Sequence, residues 1–228
     1  FNPVKTWTEY ANRLVGVSIG FCILLTAWAS RIYLKSDKSI FYLSLSVLFI
    51  TGFQGWLGSA VVASNLKPFM ITLHMLLALF IVALLIYAIA RSQRDYLKQI
   101  DSSHITNSVY TAVKFAMGFT LIQIAMGTQV REAVDFIAHE HKYIDREYWR
   151  DSFPVIFYIH RSFSAIILFT NLWISWKIYQ AVDKDNVLLR CAYILVTVIV
   201  TAIIAGITLD RLGVPPIAQP IHLLMANI

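Results

Sequence analysis

Six apolar runs of about twenty residues each limit what this chain can be, because a helix of that length spans the hydrocarbon of a bilayer. The runs lie at approximately 9–33, 41–63, 68–90, 108–130, 154–181 and 187–209, and a seventh opens near 216. The fold class they imply is an all-α membrane protein. Composition agrees: 58% of the 228 residues are hydrophobic and 14% are charged, against about 25% charged in a soluble domain. Cys22 and Cys191 both fall inside runs, where they are expected to be small buried hydrophobes and not a disulfide pair. The expected surroundings are lipid, with no nucleic-acid partner.

The charges between runs set the orientation. Arg31, Lys35 and Lys38 lie in one link, Arg91, Arg94 and Lys98 in another, and Lys177, Lys184 and Arg190 flank a third. All three links fall on one side, which the positive-inside rule makes the cytoplasm. The first run then starts outside. That predicts a further helix before residue 1, and the ending "HLLMANI" predicts that the last helix is cut short. The link 131–153 carries four Lys/Arg and six Asp/Glu. It is expected on the outer side, either as a short interfacial helix or as a solvated loop.

Sliding the sequence on itself by 148 residues brings out an internal repeat. Tyr10 falls on Tyr158, Arg13 on Arg161, Trp28 on Trp176, Asp37 on Asp185, Gly58 on Gly206, Pro68 on Pro216 and His74 on His222. Apolar runs align by chance, but Trp, Gly, Pro and His at one offset do not. The repeat predicts two pseudo-symmetric four-helix bundles: 1–107, lacking its first helix, and 108–228, with its last helix truncated. About seven of eight helices would then be present. Parallel repeats of this kind also build transporters, so the repeat alone does not assign a function.

Histidines inside the runs carry the chemistry. His104, His139 and His141 are expected in solvated loops, whereas His74, His160 and His222 lie within about two turns of the outer ends of their helices. His160 and His222 belong to one repeat. Two imidazoles facing each other across an apolar slot suit the axial positions of a heme iron, whereas zinc wants a third or fourth ligand. Arg161, next to His160, is placed to pair with a heme propionate. In the other repeat His74 matches His222, but Asn12 stands opposite His160 and Glu9 opposite Phe157. Glu9, Asn12 and Arg13 share a helical face. One bundle looks built for electron transfer and the other for chemistry on its bound group. Gly16 and Gly20 form a G-x-x-x-G stripe, expected mainly to let a helix approach closely and otherwise to clear a flat ligand. Gln129 and Arg131 are expected as propionate contacts or interfacial anchors.

These residues together resemble the heme A synthase family. The matching stretches are "EYANR" against the family's E-Y-x-H-R, "TLH" with His74, "GTQVREAVD", "HR" at 160–161, and "QPIH" with His222. The resemblance covers essentially the whole chain, from the family's second helix into its eighth. It implies an eight-helix membrane enzyme that oxidises the C8 methyl group of heme O to a formyl group, giving heme A for terminal oxidases. It further implies a heme b cofactor held by His160 and His222 with Arg161 nearby. The substrate heme would be bound by His74, Asn12 and Arg13, with Glu9 as the catalytic carboxylate. Implied partners are heme O, heme O synthase and terminal oxidase assembly factors, and a homo-oligomer stays open. The implied location is the bacterial plasma (inner) membrane, with the heme sites near its outer face. Two departures stand out: the histidine of E-Y-x-H-R is Asn12, and no cysteine pair occupies the outer loops. The competing reading is a diheme or monoheme b-type cytochrome that moves electrons without modifying heme. A transporter or heme-delivery scaffold is a third.

Overall fold

Every expected run is a helix, and the ends fall at residues that stop or start helices. The computed structural model describes residues 3–64, 67–142, 144, 146–215 and 217–227. The order is α1 (Pro3–Ala29) with a 3-10 turn at Ser30–Leu34, α2 (Lys38–Ala63), α3 (Pro68–Ser92) and the single turn α4 (Arg94–Leu97). There follow α5 (Asn107–Glu140), a 3-10 stretch at Arg146–Ser152, α6 (Val155–Ala181), α7 (Val187–Arg211) and the short α8 (Ala218–Ala226). Six of these helices are long and apolar enough to cross a membrane, so the protein is a multi-pass membrane protein. Its contacts divide it into two compact units, Phe1–Lys98 and Gln99–Ile228.

In the first unit α1 packs on α2 and α2 on α3. Ile23, Val47 and Ile81, one from each helix, form the core, with Leu48, Ile50, Leu84 and Leu85 around them. Asp37 caps α2 by accepting from the Ser39 amide at 3.0 Å. It also receives the Arg91 guanidinium from the end of α3, Nε at 2.9 Å and Nη2 at 2.6 Å. That guanidinium holds the Asp37 carboxyl below its ordinary value, against partial burial that pushes the other way. The pair therefore stabilises the α2–α3 end above the usual carboxylate range, and this is lost as pH falls through the lowered pKa.

In the second unit α5 packs on α6, α6 on α7 and α7 on α8. Val109, Ala116 and Ile174 make one core. Asn186, the residue after the one aligned with Asp37, caps α7 by accepting from the Leu188 amide at 2.9 Å. The far end of α7 closes in a Schellman turn: Gly213 sits at φ 64° and the Val214 amide reaches the Leu209 carbonyl at 3.1 Å. Both cores are small, and large apolar side chains such as Phe21, Trp28, Phe49 and Phe169 face outward. In lipid those faces need no protein partner, because acyl chains solvate them as well as another helix would.

Three expectations change. Residues 131–140 are neither a separate interfacial helix nor a loop but the continuation of α5. Nothing in "REAVDFIAHE" breaks a helix, and 34 residues give about 50 Å of rod against about 30 Å of hydrocarbon. His139 is accordingly helical. The segment beyond it is pinned by Trp149, buried with Ile137 and Ala138, its indole donating to the Ile144 carbonyl at 3.0 Å. Second, Cys22 and Cys191 are free but exposed, not buried; apolar positions on a membrane helix can face lipid. Third, Gly16 and Gly20 have open space where a Cβ would stand, so no helix of the described chain uses that stripe to approach. Pro216, one of the repeat matches, lies outside the described residues.

Candidate functional site

The second unit brings the rings of its two span histidines together. His160 enters from the first turns of α6, started by Pro154, and His222 from α8. Their ring centroids are 6.4 Å apart with planes at 75°. Imidazoles bound to opposite faces of one iron, each at about 2 Å, put their centroids roughly 6 Å apart and leave the planes free to rotate about the shared axis. The spacing therefore fits one iron between two rings. His222 Nδ1 lies 2.7 Å from the Ala202 carbonyl. An oxygen there can only accept, so Nδ1 carries the proton and Nε2 is the free ligand atom. His160 Nδ1 is buried without a hydrogen-bond partner in the chain. Among the described residues no three His, Cys, Asp or Glu side chains gather as a metal cluster, so the donor set suits a heme iron better than zinc.

Beside this pair stands a charge cluster that the sequence did not disclose. The Asp210 side chain, 6% exposed, accepts a hydrogen bond from Arg161 Nη1 at 3.4 Å and makes ion pairs with Arg150 Nε at 3.1 Å and Arg211 Nε at 3.8 Å. One carboxylate against three guanidiniums leaves an excess of positive charge next to His160, which suits an anionic ligand group. Arg161 also lies over the Tyr158 ring, 5.6 Å from its centroid. Arg150 comes from the 3-10 stretch, so the long link between α5 and α6 contributes to the site.

In the first unit His74 projects from α3 toward α2, and Gln54 of α2 donates to its backbone carbonyl at 2.9 Å. Its Nδ1, like that of His160, is buried and unpartnered. Gln123 of α5 repeats the device, donating to the His160 carbonyl at 3.0 Å. On α1, Glu9 and Arg13 form an i,i+4 ion pair at 2.6 Å on an exposed face, and Asn12 is exposed on the same helix. Gln129 is exposed on α5, and Arg131 pairs with Asp135 at 3.6 Å. Sequence reasoning missed Asp210, Arg150, Gln54 and Gln123. The two glutamines had left a trace, as amides inside apolar runs, each four residues before a glycine ("QGWLG" and "QIAMG").

A sequence model of the COX15-CtaA family, described as cytochrome oxidase assembly protein, matches residues 1–228. The chain belongs to this family. It is the heme A synthase family that the motifs resembled, and membership gives the protein a role in cytochrome oxidase assembly. Comparison with curated proteins and with solved structures returns no match.

Proposed function

We propose that the protein oxidises the C8 methyl group of heme O to a formyl group, replacing two of its hydrogens by one oxygen and passing four electrons to an external acceptor. The second unit would hold a heme b cofactor through His160 and His222. The observation that carries this reading is the facing imidazole pair, in a member of this family, in one unit only. The first unit has a single histidine, His74, and the carboxylate of Glu9. Heme b, when bound, supplies one-electron transfer.

The chain's own residues divide the remaining work. In the first unit His74 ligates the substrate iron. Glu9, held by Arg13, takes up a proton from the reacting methyl or offsets the positive charge that develops there. Asn12 orients water or oxygen with its amide. Arg13 in one unit and Arg161 in the other pair with propionates, and Asp210 holds Arg161 in place. The charge pattern of the links supports an orientation with the span histidines near the outer face, and the bacterial inner membrane is the location that the family resemblance implies.

Purified protein supplied with heme O tests the reading through its extracted product. Glu9→Ala lowers heme A formation roughly 100-fold or more with the heme b spectrum unchanged. Conversion at the wild-type rate removes Glu9 from the mechanism. Asn12, standing where the family pattern has histidine, favours the second reading, a b-type cytochrome that leaves its hemes unmodified; that protein yields neither heme O nor heme A.

A further inference from the structure

Eight glycines lie on helices, and for five of them a Cβ would meet nothing within 4 Å. The other three each meet one thing, a histidine ring, and between them they account for all three histidines of the spans. A Cβ on Gly58 would stand 3.2 Å from His74 Cε1, on Gly127 3.3 Å from His160 Cε1, and on Gly206 3.2 Å from His222 Cε1. In each case the glycine sits on the helix that precedes the histidine's own long or short helix in the chain: α2 for α3, α5 for α6, α7 for α8.

The residue four positions before each glycine, one turn away on the same face, also touches the histidine. Gln54 and Gln123 donate to the backbone carbonyls of His74 and His160. At Ala202, which has no amide to offer, the backbone carbonyl takes the bond from His222 Nδ1 instead. Two contacts one turn apart fix two things. The polar contact sets where the histidine sits along the neighbouring helix, and the glycine lets the ring lie edge-on against that helix.

We propose that Gly58, Gly127 and Gly206 are positioning residues that fix the rotation of the three histidine rings, and hence the orientation of their ligand nitrogens. The proposal rests on the heme reading given above. The Cβ of an alanine would push the ring away by a few tenths of an ångström, enough to turn it about its own bonds without removing it. Alanine is the better helix former, so substitution burdens the ring and not the helix.

The test uses full-length protein in membranes and after purification. Gly206→Ala and, on the opposite ligand, Gly127→Ala keep heme b bound. Both shift the highest g value of its low-spin ferric signal, which reports the angle between the imidazole planes, and both move its midpoint potential. Gly118→Ala, on α5 with nothing near its Cβ, leaves both at wild-type values. Unchanged g values and potentials in both variants overturn the proposal. So does failure of both to accumulate while Gly118→Ala accumulates normally, which would make the glycines packing residues. Absence of a low-spin signal from the wild-type protein is a different result, and it overturns the heme reading itself.

Discussion

At residue 157, early in α6, a phenylalanine packs on Phe153 with centroids 4.5 Å apart and the rings tilted by 48°, and meets Tyr158 edge-on at 5.3 Å. At the aligned position of α1, Glu9 carries a carboxylate bound to Arg13 at 2.6 Å. Three residues further along, the second unit has His160 facing His222, and the first has Asn12. Tyrosine and arginine are common to both stretches; the carboxylate and the amide are not. On the proposed function, what the halves share belongs to holding a heme in each. What they do not share belongs to what is done with it. On the proposed function, two imidazoles with no carboxylate at the aligned position suit a group that only exchanges electrons. A carboxylate and one imidazole leave room and a proton acceptor.

That contrast breaks most sharply if the imidazole pair is removed. His160→Ala or His222→Ala abolishes the low-spin heme b signal and heme A formation with it, a loss larger than the roughly 10–100-fold that an outer partner of a metal ligand costs. Retained low-spin heme in either variant places the cofactor elsewhere. Asn12→His makes the first unit resemble the second. It adds a second low-spin signal and raises retention of the substrate heme about tenfold; no new signal means that residue 12 does not face the iron. The smallest effect comes from the charge cluster. Asp210→Asn leaves Arg150 and Arg161 without their shared partner and costs about 1–3 kcal/mol in thermal unfolding, toward the low end because the arginines are partly solvated. An unchanged melting temperature removes Asp210 as the anchor of the long link.

The helices were legible because lipid imposes a length and a composition on them. Even so, α5 ran ten residues past its expected end, since the hydropathy of "REAVDFIAHE" falls while its helix-forming capacity does not. The span histidines were legible as polar groups with no other reason to be there. What surrounds them was less so. Asp210 and Arg150 are 60 positions apart and meet only because Trp149 pins the 3-10 stretch down. The glycine contacts depend on the register between helices, which no single helix encodes. The expectation of buried cysteines failed for a related reason: in a membrane protein an apolar run does not say which of its faces meets protein.

On the proposed function, one half of the chain keeps a heme and the other half changes one. Extraction and quantification of the hemes from purified wild-type protein tests it most directly. Heme b together with heme O or heme A is the expected result, with heme b lost from His222→Ala. Heme b alone, with none of the other two after incubation with heme O, contradicts it.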